Sequence, residues 1–245
     1  MITLWKKLYE TPLASLERLR LSSETFKNER LSYAGRLDPM AEGVMPVMVG
    51  DECEQRDIFL GFDKTYETEI FFGLSTDSFD LLGLVTGVKP VAHLTEDAFG
   101  EAVTPFLGDI EQVPPQFSSG AISKGLDKVR EGKVDIKKKK VEVISIGVVS
   151  MNPRTVVHVA AEGIKAADMV VGDFRQSEIK ARWNEILKNN GDMSGVVVSL
   201  KIESGTGFYV RAFARDMGEA LGVPACVLRI VRTEAGDWGK KDCVI

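Results

Sequence analysis

A short stretch near the N-terminal end of the chain combines the residue types that a catalytic loop needs. Gly35, Arg36, Asp38 and Pro39 form a turn-rich centre, and the apolar residues at 44–49 predict a buried strand directly after it. Pro39 restricts the backbone before it to extended or turn geometry, which holds the Asp38 carboxylate beside the core. Such a carboxylate could act as a nucleophile or a general base, and the structural alternative is a plain Asp-Pro turn.

Histidine and cysteine are too scarce and too scattered to support several other chemistries. The two histidines, His93 and His158, lie far apart, so neither a Ser-His-Asp triad nor a histidine-rich metal site is expected. Cys53, Cys226 and Cys243 show no paired spacing, which argues against a disulfide framework and a zinc site. No apolar run approaches the ~18 residues of a membrane span, and no signal peptide is recognisable. We therefore expect a cytoplasmic chain that uses carboxylate and phenol groups.

The distribution of charge is more informative than its total. The net charge is −5, which does not suggest a nucleic-acid-binding protein. However, the segment from Lys124 to Lys140 contains eight basic and three acidic residues. A solvated surface is the simplest interpretation of such a run, and a phosphate-binding segment is the alternative.

Hydrophobic periodicity predicts a mixture of helices and strands without strict β-α-β alternation. The predicted helices are 12–20, 95–107, 176–188 and 212–221, and the predicted strands are 66–72, 139–149, 155–160, 196–202 and 226–233, with a turn at 151–154. His158 falls within one of these strands, where a structural role is favoured. This pattern indicates an α+β fold with a mixed, largely antiparallel sheet and flanking helices.

Five stretches of the chain carry a resemblance to one family, and they occur in the order that the family shows. Residues 35–44 read Gly-Arg-Leu-Asp-Pro-Met-Ala-Glu-Gly-Val and closely resemble the catalytic motif of the TruB family of pseudouridine synthases. The other similar segments are 64–67, 73–83, 114–119 and 205–218. The resemblance implies a pseudouridine synthase core with a central catalytic cleft. It also implies the isomerisation of a uridine in RNA without a cofactor or metal, with uridine 55 in the TΨC loop of tRNA as the usual target.

The resemblance also assigns roles to individual residues. Asp38 would be the nucleophile or base, and Arg211 its ion-pair partner. Tyr66 would stack on the target base and relay the proton from C5, which gives three catalytic candidates. Tyr209 is expected on the same side as Arg211 if the segment is extended.

Further residues are expected to bind the substrate. Ile230 corresponds to an aliphatic residue that packs on the base, and Arg36 lies within the catalytic motif. Tyr33 replaces a family histidine that contacts the RNA around the flipped base, and Phe117 stands where tyrosine is usual.

The resemblance predicts a single catalytic domain over residues 1–245, with residues 114–140 as a thumb-like insertion that clamps RNA. Its phosphate contacts would come from lysines at Lys124, Lys137, Lys138, Lys139 and Lys140. A C-terminal PUA-type domain is not expected, nor is an obligatory protein partner, and a monomer is the default. Two alternatives stay open, an RNA-binding or RNA-folding protein with weak or no catalysis and an rRNA-directed synthase. Residues 161–194 form a longer stretch than is usual, and the sequence suggests no function for it.

Overall fold

The structure is a computed structural model that describes residues 1–244. Its strands are β1 (Ile2–Lys6), β2 (Leu31–Tyr33), β3 (Ala41–Val49), β4 (Lys64–Phe72), β5 (Leu74–Thr76), β6 (Val85–Val88), β7 (Gly108–Gln112), β8 (Lys139–Thr155), β9 (Ser194–Ser204), β10 (Ala225–Ala235) and β11 (Trp238–Gly239). Its α-helices are α1 (Pro12–Ser22), α2 (Arg56–Leu60), α3 (Glu96–Val103), α4 (Ser119–Ile122), α5 (Leu126–Arg130), α6 (Val156–Met169), α7 (Gln176–Asn190) and α8 (Val210–Leu221).

One large sheet organises these elements. Nine strands form it, in the order β1-β3-β10-β4-β9-β8-β7, with β2 paired to β3 and β11 paired to β10. The pairing of β10 with β3 is parallel, whereas the other pairs of this sheet among the described residues are antiparallel. The predicted α+β fold with a mixed, largely antiparallel sheet is thus confirmed.

The centre of the sheet is buried on both faces because its strands carry apolar residues at successive positions. On β4, Ile70 packs into the cluster on one face, and Phe71 packs into the cluster on the other. Both residues are fully buried, and each contributes roughly 1.5–3 kcal/mol by leaving water. The first of these faces, covered by α3 and α8 through Phe99 and Phe213, is also the face that carries Tyr66 and Ile230.

Helices α6 and α7 pack as a hairpin on the opposite face. Trp183 of α7 is fully buried against α6, and a Cβ atom at Gly163 would lie 2.4 Å from its ring. Glycine at this position therefore allows the two helices to approach closely. The indole Nε1 of Trp183 donates a hydrogen bond of 3.3 Å to the Leu81 carbonyl, which attaches the hairpin to the loop before β6.

The predictions for the segment before this hairpin were wrong. Residues 155–160 form the end of β8 and the start of α6, and the predicted turn at 151–154 continues the strand. Strand β8 extends this far because it pairs with β9 up to the partners Thr155 and Ser194. The apolar residues that follow then recur at helical spacing, with Val156, Val159 and Ala160 buried. His158 accordingly lies on a helix, where its Nδ1 lies 2.8 Å from Thr155 Oγ1.

The other predicted helices are present, with small changes at their ends. The helix predicted at 95–107 ends at Val103 and continues as a 3₁₀ turn over Thr104–Phe106, because Pro105 lacks the backbone donor that an α-helix requires. Helix α8 ends before Gly222, which has a φ of 66° and so favours glycine. Within residues 1–244, we find no helix with the length and apolarity to cross a membrane.

Candidate active site

The Asp38 carboxylate lies at the mouth of a cavity, on the loop that leads into β3. The Asp38 carbonyl accepts a hydrogen bond of 2.9 Å from the Ala41 backbone, which closes a tight turn around Pro39. The side chain is 26% exposed, so it is held by the core and is still open to a substrate. This is the placement that the Asp-Pro sequence predicts.

Arg211 is buried beside Asp38 in the first turn of α8. Its Nε and Nη2 atoms lie 2.9 and 2.6 Å from Asp38 Oδ2, and its Nη1 donates to the Ser78 carbonyl at 2.9 Å. The predicted extended geometry at this point was wrong, because Tyr209 occupies the N-cap position and Arg211 is helical. Tyr209 is instead held through its backbone by Gln112, whose Oε1 accepts from the Tyr209 N–H at 3.0 Å.

A second carboxylate, Asp80, lies behind this ion pair, and the sequence predicts no role for it. Its Oδ2 is 3.5 Å from Arg211 Nε, and its Oδ1 accepts hydrogen bonds from Ser78 Oγ at 2.6 Å and from Leu82 N at 2.9 Å. Burial raises the pKa of Asp80, although Arg211 acts in the opposite direction. Burial would lower the pKa of Arg211, but Asp38 and Asp80 outweigh it and raise that pKa. The guanidinium therefore stays charged between two carboxylates.

Tyr66 forms the inner wall of the cavity and stands opposite Arg232 on the neighbouring strand β10. Burial raises the pKa of Tyr66, and the charge and hydrogen bonding of Arg232 partly counteract it. Arg232 is 1% exposed and donates from Nε to the Val44 carbonyl at 2.7 Å, while its Nη2 has no hydrogen-bond partner among the described residues. Arg232 was not predicted as a site residue, because its only signal in the sequence is a charged residue in a buried strand.

Two buried lysines add positive charge near this region. The pKa of Lys6 and that of Lys64 are each lowered to about 8, mainly by burial, and repulsion from Arg232 contributes to both shifts. The Lys6 ammonium donates to the Ala41 carbonyl at 2.5 Å, and Lys64 donates to the Leu60 carbonyl at 2.8 Å. Asp38 therefore lies among cations, with Arg211 in direct contact and the Lys6 ammonium nearby.

A cavity of about 330 Å³ brings together most of the residues that the sequence predicts. The predicted residues that line it are Arg36, Asp38, Tyr66, Lys139, Tyr209, Arg211 and Ile230. Lys124 and Lys137 line a neighbouring groove, next to Lys139 and Tyr209. Tyr33 does not line this cavity. On β2 it pairs with Val47 of β3, and its side chain packs against the apolar cluster that contains Leu4.

The remaining lysines of the basic segment are exposed. Lys138 lies 3.6 Å from Glu111 as a surface ion pair, and Lys140 pairs with Glu111 in the β7–β8 ladder. Among residues 1–244, no three His, Cys, Asp or Glu side chains converge as a metal site would require.

A second cavity, of about 280 Å³, lies on the other side of Asp38. It shares Arg36, Asp38 and Arg211 with the first cavity. It is also lined by Phe117 and Leu126, from the segment 114–140, and by residues that join α6 to α7. Asp38 therefore lines two cavities, and residues of the segment 114–140 contribute to the lining of both.

Comparison with solved structures defines the class of fold. The chain resembles the Cbf5-Nop10-Gar1 complex with a TM-score of 0.60 and 18% identity, covering 98% of this chain and 49% of that chain. The H/ACA RNP bound to a substrate RNA containing 2'-deoxyuridine gives a TM-score of 0.57 and 17% identity, covering 98% of this chain and 48% of that chain. At these identities the likeness shows the fold alone, a pseudouridine synthase core.

Comparison of sequences gives the family. Residues 23–165 match the TruB family pseudouridylate synthase (N terminal domain), which is more than half of the chain. The chain belongs to this family.

Curated relatives agree with this assignment. A tRNA pseudouridine synthase B of Bacteroides thetaiotaomicron is 29% identical over 218 residues, or 89% of this chain and 76% of the relative. The protein of the same name in Phocaeicola vulgatus is 30% identical over 220 residues, or 89% of this chain and 76% of that relative. The protein of that name in Synechocystis is 30% identical over 239 residues, or 96% of this chain and 66% of that relative. The chain thus spans 66% to 76% of the length of these three relatives.

Proposed function

We propose that this protein is an RNA pseudouridine synthase that acts on tRNA, with uridine 55 in the TΨC loop as its expected target. The observation that carries the proposal is the Asp38–Arg211 ion pair at the mouth of a cavity lined by Tyr66 and Ile230. The names of the curated relatives support the choice of tRNA as the substrate.

The reaction rearranges atoms within one nucleotide. The C1′–N1 bond breaks, the uracil turns within the site, a C1′–C5 bond forms, and the proton on C5 is transferred to N1. Nothing is oxidised or added, so the reaction needs no redox cofactor. Asp38 either attacks C1′ or removes a proton from the sugar, and both routes require its carboxylate to be ionised.

Arg211 orients that carboxylate and balances its charge. Its Nε and Nη2 both donate to Asp38 Oδ2, and two donors to one oxygen restrict its rotation. Asp80, whose Oδ2 is 3.5 Å from Arg211 Nε, and the Ser78 carbonyl, which accepts from Nη1 at 2.9 Å, restrict the guanidinium in turn.

Tyr66 and Ile230 would form the binding surface for the extruded base. They lie on adjacent strands of one sheet face, and a base that leaves the RNA stack can recover roughly 1–3 kcal/mol by stacking on an aromatic ring. The Tyr66 phenol would also relay the C5 proton. In this proposal Arg36 and Tyr209 contact the nucleotide from the rim of the cavity.

We assign the segment 114–140 to RNA clamping, within a single catalytic domain. Its exposed lysines would contact phosphates, which position RNA without reading its sequence. Tyr33 would contact RNA outside the cavity that holds the target base. We also propose that the protein acts as a monomer in the cytoplasm and requires no protein partner.

Pseudouridine mapping on an unmodified tRNA transcript tests the function directly. We expect the pure protein to introduce a single pseudouridine in the T loop and the Asp38→Asn variant to bind the transcript without modifying it. Binding by both proteins without modification would favour the RNA-binding alternative. Modification of an rRNA fragment but not of tRNA would favour the rRNA-directed alternative.

A further inference from the structure

The α6–α7 hairpin reaches the thumb-like insertion through the loop that joins its two helices. This hairpin lies largely beyond the residues that match the family, which end at 165, and the proposed function gives it no role. Two of its residues contact the insertion: Arg175 lies with its guanidinium carbon 4.5 Å from the centre of the Phe117 ring, and Asp173 lies 3.0 Å from Arg130.

The two contacts differ in how strongly they can hold the insertion. The Asp173 side chain is 76% exposed, so its ion pair with Arg130 contributes little in water. Arg175 is 13% exposed, and its guanidinium donates two hydrogen bonds to Asp77, at 2.9 and 3.2 Å. A guanidinium that is fixed by a carboxylate on one side and stacks on an aromatic ring on the other restricts that ring.

Asp77 is itself anchored, so the position of Arg175 is set by the body of the protein. Asp77 Oδ1 accepts a hydrogen bond of 2.9 Å from the Leu84 backbone. The backbone of Arg175 has a φ of 61°, in the left-handed region that a residue with a Cβ rarely adopts. The loop therefore keeps an unfavourable backbone conformation at the residue that makes the contact, which suggests that the orientation of this side chain is used.

The same contacts lead to the candidate catalytic carboxylate. The Phe117 carbonyl accepts a hydrogen bond of 3.3 Å from Arg211 Nη2, and this nitrogen also donates to Asp38 Oδ2 at 2.6 Å. Phe117 is thus held through its ring by Arg175 and through its carbonyl by Arg211. A displacement of Phe117 would change both the lining of the second cavity and the contacts of the arginine that donates to Asp38.

We propose that Arg175 is a positioning residue for the pseudouridine synthase reaction: it holds Phe117, and with it the thumb-like insertion, in place over Asp38. The proposal rests on the proposed function for its catalytic consequence. The contact between the hairpin and the insertion does not depend on that function.

The test compares Arg175→Ala, Arg175→Lys, Phe117→Leu and the Arg175→Ala/Phe117→Leu double variant, with Lys188→Ala as a matched control. Lys188 is an exposed cation on the same helix α7, far along the chain from the loop. Two kinds of measurement are made: single-turnover rates over a range of tRNA concentrations up to saturation, well below the unfolding temperature, and the rate at which trypsin cleaves within residues 124–140. The first reports positioning at the site, and the second reports attachment of the insertion.

We expect Arg175→Ala to lower the saturating single-turnover rate about tenfold, the scale of one cation–π interaction. KM should change less than this rate, and Arg175→Lys should recover part of it because a cation still faces the ring. The double variant should be no slower than the slower single variant, since both substitutions remove the same interaction, between the Arg175 guanidinium and the Phe117 ring. Trypsin should cleave the insertion faster in Arg175→Ala, whereas Lys188→Ala should match the wild type in both measurements.

A folded Arg175→Ala variant with a rate within about twofold of the wild type would overturn the proposal, as would losses that multiply in the double variant. If the wild type forms no pseudouridine, the proposed function fails. The trypsin comparison then still tests whether Arg175 holds the insertion in place. Equal cleavage rates in Arg175→Ala and Lys188→Ala would reject that part of the proposal.

Discussion

Arg211 donates both of its hydrogen bonds to Asp38 to the same oxygen, Oδ2, from Nε at 2.9 Å and from Nη2 at 2.6 Å. This arrangement holds the carboxylate through one oxygen, and among the described residues no donor is found for Oδ1. In the proposed reaction, Oδ1 would then face the nucleotide, whether Asp38 attacks C1′ or removes a proton from the sugar.

Substitution of Arg211 should separate its roles in catalysis and in stability. Arg211→Lys retains the charge but cannot reach Asp38, Asp80 and the Ser78 carbonyl together, so we expect a loss of turnover of about a hundredfold or more with the fold retained. Arg211→Met leaves Asp80 buried without its partner and should lower the free energy of unfolding by about 3–5 kcal/mol. Thermal and denaturant unfolding of both variants, together with single-turnover rates, check this. A Met variant as stable as the Lys variant would contradict it.

The two proposed roles of Tyr66 should respond to different substitutions. Tyr66→Phe keeps the ring and removes the phenol, so tRNA affinity should change little while turnover falls about a hundredfold, as for loss of a general acid–base group. Tyr66→Leu also removes the ring and should weaken binding by roughly 1–3 kcal/mol. Titrations of tRNA binding and single-turnover rates distinguish the two. Equal affinities for the Phe and Leu variants would argue against stacking.

Lys6 should make stability depend on pH in the alkaline range. Its pKa is lowered to about 8 in the folded protein, mainly by burial, from the usual 10.5. The unfolded state therefore binds more protons between these two values, so the contribution of Lys6 to the free energy of unfolding rises with pH across that range. Below pH 8 both states are charged, and the cost of burying the ammonium is fully present.

Chemical denaturation of Lys6→Met and the wild type at pH 7 and pH 10 measures this contribution. We expect the Met variant to lose stability relative to the wild type as the pH rises, by on the order of 1–3 kcal/mol. Lys7→Met, at the neighbouring exposed position, is the control and should show no such change. A difference between Lys6→Met and the wild type that is independent of pH would show that burial does not shift this lysine.

The basic segment should determine the salt dependence of RNA binding if it contacts phosphates. Replacing Lys137, Lys138, Lys139 and Lys140 with glutamine should weaken tRNA binding. It should also make the slope of log K against log salt shallower, by roughly 0.7–0.9 for each phosphate interaction that the substitution removes. The control replaces four exposed lysines elsewhere, at Lys27, Lys165, Lys188 and Lys241. Equal slopes for the two variants would remove the segment 137–140 from the RNA-binding surface.

The sequence alone determined the elements and residues whose signal is local. Asp38 is recognisable because proline follows it and a buried strand begins just beyond, and Tyr66, Arg211 and Ile230 lie in motifs only a few residues long. The helix at 212–221 is predictable from its periodicity and its terminal glycine, and α7 is predictable from its apolar spacing. The antiparallel character of the sheet follows from strands that do not alternate strictly with helices.

Only the tertiary structure decided which distant residues meet. Arg211 and Asp38 are 173 positions apart, and the contacts of Arg211 with Asp80, of Arg232 with Tyr66 and of Arg175 with Phe117 join segments that carry no shared local pattern. The segment 155–160 shows the same limit. Its residues Thr-Val-Val-His-Val-Ala favour a strand by intrinsic propensity, but packing against Trp183 on α7 makes most of them helical. Secondary-structure propensity is a property of each residue and its own backbone, so it can be read from the sequence. Burial depends on which distant segments the fold packs against that residue, so it cannot.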